Sequence, residues 1–449
     1  TMSRTTPMRP FVFGLALLCL PHLAATWSIA TPMLRGTAPC VSTKVQSPIF
    51  SKSEFISGVA FRPDFGVRHQ RSAIKPATWT AKLQTGIVGL PNVGKSTLFN
   101  ALLQKVTAEA ANFPFCTIEP NTGIVPVPDS RIGVLADISN SEKVIPATME
   151  FVDIAGIVKG ASEGQGLGNK FLANIRECDA IIHVVRCFEN DDVIHVDGSV
   201  DPVRDMEVIN LELVLADLAQ VEKRLERVIK DTKRVATPEA LLEKGALEKL
   251  KENLDLGKPA RAAGMSEEEA LSVKSLGLLT LKPVIYATNV EDADLAAGND
   301  MVDSVKKIAS EEGARVVVVS AQVEAEMAEL DAEDKTMFLE ELGVSDPDAT
   351  GLNALVKASY ELLGLRTYFT TGPTETRAWT IRAGWKAPQA AGVIHQDFER
   401  GFIRAETMSY EALVKCGSEK AAKEKGLARS EGKDYVVQDG DCILFRFNV

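Results

Sequence analysis

The chain has 449 residues, 45% of them hydrophobic and 25% charged, with a formal net charge of −11. That length suggests two to four domains, and that hydrophobic fraction excludes a chain too polar to build a core. Residues 1–80 hold nine Lys/Arg and two acids, a net +7, so the rest carries −18, which disfavours non-specific binding to nucleic acid. The seven cysteines are scattered and form no C-x-x-C pair; they read as reduced core thiols rather than a disulfide or zinc framework.

In chain order, residues 1–80 do not belong to the fold. Residues 11–20 are an apolar run behind Arg4 and Arg9, followed by the small pair Ala24-Ala25, which is a signal-peptide design. Residues 26–82, rich in Ser, Thr, Lys and Arg and poor in acids, read as an organellar transit peptide. In tandem they form a bipartite address of the kind that leads into plastids with extra membranes. The expected location is the plastid stroma. A mitochondrial destination, or a mis-assigned start on a cytoplasmic protein, is the alternative. No membrane association of the mature form is expected.

The first core signal is the apolar run Gly86-Ile87-Val88, then Gly89-Leu90-Pro91-Asn92-Val93-Gly94-Lys95-Ser96-Thr97, then Leu98-Phe99-Asn100-Ala101-Leu102-Leu103. This is G-x-x-x-x-G-K-S between a strand and a helix, a phosphate-binding P-loop. The backbone N–H groups of Asn92, Val93, Gly94, Lys95, Ser96 and Thr97 would surround phosphate at a helix N-terminus. Lys95 is placed for the β- and γ-phosphates and Ser96 for Mg²⁺. A dinucleotide-binding oxidoreductase is excluded, because no G-x-G-x-x-G follows this strand.

Asn112-Phe113-Pro114-Phe115-Cys116-Thr117 supplies a candidate switch threonine, Thr117, for the Mg²⁺ shell. Phe151-Val152-Asp153-Ile154-Ala155-Gly156 is a strand ending in D-x-x-G. In G-protein-like NTPases that Asp reaches Mg²⁺ through water and the Gly N–H senses the γ-phosphate. The next residue, where Ras-like proteins hold a water-orienting Gln, is Ile157, so slow intrinsic turnover is expected. The glycine-rich 160–168 segment reads as a mobile switch.

Residues 203–280 interrupt this domain. Leu211, Val214, Leu218, Val221, Leu225 and Val228 form a heptad seam on one helix. Thr237-Pro238-Glu239 opens a second helix with Leu247, Leu250 and Leu254 on one stripe, and Ser266-Glu267-Glu268-Glu269 caps a third. An antiparallel coiled-coil arm is expected. Residues 282–288 are again a strand, leading into Asn289-Val290-Glu291-Asp292 at the N-K-x-D position that reads guanine. The Lys is replaced by Val290, which weakens a guanine site, whereas a carboxylate at Asp292 favours guanine N–H groups over adenine N1. Ser320-Ala321-Gln322, after the strand 315–319, would close the other side of the base. From about Arg366 the chain changes to short β-like runs at 377–381, 401–405, 434–438 and 441–447, with basic residues Arg366, Arg377, Arg382, Lys386, Arg400 and Arg404.

The runs 89–100, 112–125 and 153–171, with Arg186-Cys187-Phe188-Glu189-Asn190 and the C-terminal 444–449, resemble the Obg-like ATPase (YchF) family over about residues 84–449. The resemblance implies an α/β fold: a G-protein-like P-loop NTPase domain (81–202 and 281–365), the inserted helical arm (203–280) and a C-terminal β-grasp module resembling a TGS domain (366–449). It implies a slow Mg²⁺-dependent ATPase, with GTP as the alternative because the family carries N-x-x-E where this chain has Asp292. The base contacts would then be Asn289, Val290, Asp292, Ser320 and Ala321. It implies that Asn92 helps to hold K⁺, as in related cation-activated NTPases, and that His195 matches a histidine proposed as catalytic. It further implies a ribosome or ribosomal subunit as partner, with RNA contact through the C-terminal module and the arm. A nucleotide-switched binding module with little turnover of its own is the competing class.

Overall fold

The computed structural model describes residues 83–109, 121–154, 167–190, 192–196, 198–344, 346 and 351–448. Residues 1–80, expected to be a targeting segment, Thr117, Gly156, Ile157 and residues 160–166 of the glycine-rich segment lie outside them.

The nucleotide domain runs β1 (Gln84–Val88), α1 (Lys95–Glu109), β2 (Thr122–Pro126), α2 (Arg131–Ser139), β3 (Val144–Ile145), β4 (Thr148–Asp153), α3 (Leu167–Glu177) and β5 (Ala180–Arg186). The arm contributes α4 (Pro202–Arg234), α5 (Pro238–Asp255) and α6 (Glu267–Val273). The chain then returns through β6 (Val284–Asn289), α7 (Asp300–Glu312), β7 (Arg315–Val319), α8 (Ala321–Met327), α9 (Ala332–Glu341) and α10 (Gly351–Leu362). The first sheet has the order β2-β4-β1-β5-β6-β7. It is parallel except where β2 meets β4. A parallel sheet covered on both faces needs strands that are apolar throughout, and all seven residues of β5 are buried. All six of β6 are buried too. The P-loop therefore leaves β1 at the C-terminal edge of the sheet, where α/β proteins place their ligands.

The arm is a helical hairpin. Asp201 caps α4 by accepting the Val203 and Arg204 N–H groups, and Pro202 stands at the first helical position. Val214, Val221 and Val228 are buried against Leu247, Leu250 and Leu254 of α5, with Leu218 and Leu225 partly buried beside them. The seam does not reach Leu211, which is 50% exposed. At its base α4 instead turns Met206, Ile209 and Leu213 into the core of the nucleotide domain, and Leu211 falls on the opposite side. Thr237 caps α5, and the Ser266–Glu269 capping box forms on α6.

Two polar clusters, one buried and one partly buried, hold the arm at its root. The Asp217 carboxylate accepts Leu279 N–H at 2.9 Å, Thr280 N–H at 2.7 Å and the Thr280 hydroxyl at 2.6 Å. The Tyr286 hydroxyl and Arg261 both donate to Glu312, at 2.9 and 2.6 Å, while Asn210 of α4 donates to the Tyr286 oxygen at 3.1 Å.

The C-terminal part adds β8 (Leu365–Thr370), β9 (Thr376–Arg382), α11 (Ala387–Ile394), α12 (Gln396–Arg400), β10 (Phe402–Ser409), α13 (Tyr410–Cys416), α14 (Glu419–Glu424), β11 (Arg429–Glu431) and β12 (Asp441–Phe447). Its sheet order is β11-β10-β12-β8-β9-β3, so the nucleotide domain lends β3 as the last strand. Residues 434–438, expected as a strand, make a single bridge from Val436 to Lys386. Their backbone is used on a loop, where Ala387 N–H donates to Tyr435 O and Val437 N–H to Trp385 O. Part of the basic set expected to face RNA is engaged within the domain. Lys386 pairs with Asp434, Arg404 pairs with Glu406, and Arg377 lies 4.0 Å over the Trp379 ring. Among the described residues no helix is long and apolar enough to cross a membrane.

Candidate nucleotide site

Two glycines of the P-loop show why the sequence needs them. A Cβ on Gly89 would stand 2.6 Å from the Val184 carbonyl of β5. Gly94 has φ +95°, and a Cβ there would run into the Asn289 amide. Asn92 itself sits at φ +61°, which asparagine tolerates better than most residues. Val93 is buried, while Ser96 and Thr97 are exposed at the start of α1.

Lys95 is 7% exposed, and its ammonium donates to the Leu90 carbonyl at 2.8 Å, closing the loop across its own base. Burial pushes its pKa below the ordinary lysine value, and the nearby Asp153 charge opposes that shift. Asp153, at the end of β4, is displaced upward by burial, and Lys95 and a Ser96 hydrogen bond pull it back. Lys95, Ser96 and Asp153 therefore share one electrostatic site. The Asp153 Oδ1 atom is buried with no hydrogen-bond partner among the described residues. A desolvated carboxylate oxygen beside an exposed hydroxyl is a hard-oxygen donor set, which suits Mg²⁺. The remaining expected ligand, Thr117, and the γ-phosphate sensor, Gly156, lie outside the described residues.

Asn289 ends β6 and is 4% exposed. Its amide donates to the Val93 carbonyl at 3.0 Å, and its Oδ1 accepts the Ala321 N–H at 2.8 Å. It thus ties the P-loop to the turn that enters α8. Val290 is 3% exposed and belongs to the main core, so at the position of the usual Lys the chain has an inward-packed aliphatic group. Asp292 is half-buried and accepts the Ser320 hydroxyl at 3.3 Å. Ser320, fully buried, also accepts Val323 N–H as the cap of α8. The residues expected to read the base are thereby tied to one edge of the P-loop through Asn289.

His195 takes a less expected place. It is 8% exposed, and its Nε2 is 2.8 Å from Asp205 Oδ2 in the first turn of α4. The preceding residue, Ile194, is joined to the P-loop, because the Asn92 amide donates to its carbonyl at 3.1 Å. Arg186, at the end of β5 and 1% exposed, holds the same loop from below. It donates to the carbonyls of Phe188, Asn190 and Val193 at 3.2, 3.1 and 2.9 Å and stacks 4.5 Å over the Phe188 ring. Neither Arg186 nor Asp205 is singled out by motif spacing. An arginine closing a buried apolar strand was the available signal. Among the described residues there is no cluster of three or more His, Cys, Asp or Glu side chains able to hold a metal, so a Mg²⁺ here would rely on a hydroxyl, water and phosphate besides Asp153.

Known proteins align with this site along nearly the whole described chain. A family model described as a 50S ribosome-binding GTPase matches residues 84–230. A second, YchF-GTPase_C, described as a protein of unknown function, matches residues 365–448. The ribosome-binding ATPase YchF of Bacillus subtilis is 57% identical over 369 residues, covering 82% of this chain and 100% of that protein. Its namesake from Haemophilus influenzae is 56% identical, covering 81% and 99%. The solved YchF GTPase of Schizosaccharomyces pombe matches with a TM-score of 0.74 at 39% identity, covering 81% of this chain and 98% of that one.

Proposed function

We propose, because this chain belongs to the YchF family, that it binds ATP at the P-loop with Mg²⁺ and hydrolyses it slowly to ADP, as a nucleotide-gated regulator that docks on the ribosome. The observation that carries the proposal is buried Lys95 lying near enough to the Asp153 carboxylate for the two charges to act on each other, with Asp153 Oδ1 lacking a hydrogen-bond partner among the described residues. Lys95 would exchange its bond to the Leu90 carbonyl for the β- and γ-phosphates, whose negative charge favours its charged form. The N–H groups of residues 92–97 orient the phosphates. Ser96 and Asp153, with Thr117, would hold Mg²⁺, which when bound neutralises charge on the phosphate oxygens. With Ile157 in place of a glutamine, water orientation falls to Asn92 with K⁺, to the His195 loop, or to a partner, and basal turnover is slow.

The buried Val290 supports adenine over guanine, since it offers no cation to the base edge. The Asp292 carboxylate favours guanine, and GTP is the second reading. The names of the relatives support a ribosomal partner. The arm and the basic residues of the C-terminal sheet are the surfaces proposed to meet it, RNA included. The domain limits are proposed as 81–202 with 281–365, 203–280 and 366–449. The bipartite N-terminus is proposed to deliver the chain to the plastid stroma, which a fluorescent fusion of residues 1–80 would test. The functional test is turnover of labelled ATP by the full chain, with Mg²⁺, with and without ribosomes. Slow release of ADP that rises on adding ribosomes supports the proposal. Turnover unaffected by ribosomes would leave a plain enzyme, and absence of ATP binding would overturn the reading.

A further inference from the structure

The 187–196 loop is the place where three parts of the molecule meet. Arg186 fixes its first half from the end of β5. The Asn92 amide, from the P-loop, holds the Ile194 carbonyl. One residue further, His195 is fastened to Asp205, and both side chains are at most 4% exposed. Asp205 also accepts Arg204 at 3.3 Å, and Arg204 in turn donates to the Ser199 carbonyl at 2.5 Å. The aliphatic neighbours of the histidine point the other way: Ile194 is 79% and Val196 53% exposed. An exposed loop with two such side chains gains little from burial of its own. Its position is set by polar ties: the buried pair at one end and the Arg186 fork at the other. The pair's acidic member stands on the first turn of the 33-residue helix that forms the arm.

We propose that Asp205 is a positioning residue for the nucleotide reaction. Acting through His195, it holds the 192–196 loop so that the Ile194 carbonyl fixes the Asn92 amide at the P-loop, and it thereby makes hydrolysis responsive to the arm. The inference rests on the nucleotide reading above and deepens it by naming how that site is regulated. A hydrogen bond fixes the direction of an amide that otherwise turns freely on an exposed side chain, and displacements of about 1 Å in such groups change rates by up to roughly a hundredfold. A partner that tilts α4 shifts Asp205, the loop follows, and Asn92 is re-aimed. By linkage, nucleotide binding biases the arm only as far as movement of the arm changes nucleotide affinity.

The test is a double-mutant cycle in the full chain with Asp205→Ala and Asn92→Gly, glycine being chosen because it accepts the positive φ at position 92. ATP affinity, kcat and KM are measured with Mg²⁺. Each single change is expected to lower kcat by roughly tenfold with ATP affinity altered less than about threefold. The double variant is expected to match either single rather than fall by roughly a hundredfold, because both sever one relay. Additive losses would overturn the proposal, since two independent structural defects multiply. If Asp205→Ala does not fold, His195→Gln takes its place in the cycle. Hydrogen exchange supplies a readout independent of turnover. Adding ATP and Mg²⁺ to the wild-type chain should protect residues 192–210, and Asn92→Gly should abolish that protection. Binding without a change at 192–210 sinks the relay alone, whereas no binding removes the reaction it would position and overturns both readings.

Discussion

Replacing Asn289 by alanine should disconnect the P-loop from the far side of the base site. In the folded chain the side chain makes two buried hydrogen bonds, one to the Val93 carbonyl and one from the Ala321 N–H. The variant leaves both backbone groups without a partner in an interior where water does not replace it. Each stranded group costs about 1–3 kcal/mol, so the local loss is about 2–6 kcal/mol. That is a large part of the roughly 5–15 kcal/mol that holds a typical domain. A chain of several domains does not unfold in one step, so the suitable assay is amide hydrogen exchange, read at residues 321–323 and 93–95. Protection there should fall by at least about thirtyfold, which is about 2 kcal/mol, while the arm and the C-terminal sheet keep theirs. ATP affinity should fall by more than about tenfold, because Gly94 is packed directly on the Asn289 amide. Unchanged exchange at Ala321, with unchanged affinity, would refute the reasoning, whereas unchanged exchange with weakened affinity would leave Asn289 a base contact only.

Three further outcomes follow from other groups. Asp217→Ala removes the acceptor of three bonds at the arm root and should cost about 2–4 kcal/mol locally; limited proteolysis should open residues 258–282 well before the sheet. His183, 2% exposed with its ring tilted against that of Tyr286, is pushed down to about 3 by burial, with Lys95 and Arg261 adding to the shift. Its folded pKa lies below the unfolded 6.5, so the unfolded chain binds the extra proton and stability falls as pH drops from 6.5 toward 3, by up to about 1.4 kcal/mol per pH unit; His183→Gln should flatten that limb by one proton in urea titrations across this range. Chelation of Mg²⁺ should weaken ATP binding in the wild-type chain, and Asp153→Asn should remove most of that dependence, as isothermal titration with and without EDTA would show.

The parts of the fold legible in the sequence are those where a short-range pattern decides the outcome. The P-loop announces itself because phosphate geometry demands glycine and lysine at fixed offsets, and the arm because helices burying one stripe repeat every three or four residues. Leu211 fits the heptad spacing yet lies outside the seam, since α4 changes partners at its base and spacing carries no record of which neighbour is met. Residues 434–438 have strand-like composition, but their hydrogen bonds go to a loop. Lys95, Ser96 and Asp153 act on one another electrostatically, and each stands at a position that a short motif marks. The tie made by Asn289, the Arg186 fork and the His195–Asp205 pair depend on contacts between segments distant in sequence or on burial, which a linear spacing does not encode.

The central claim is tested most directly by competition between ATP and GTP for the full chain in the presence of Mg²⁺. ATP bound tighter by about tenfold or more, which is about 1.4 kcal/mol, is the expected result, with Val290 buried and Asp292 engaged by Ser320. GTP bound tighter would contradict the account and make Asp292 a reader of guanine.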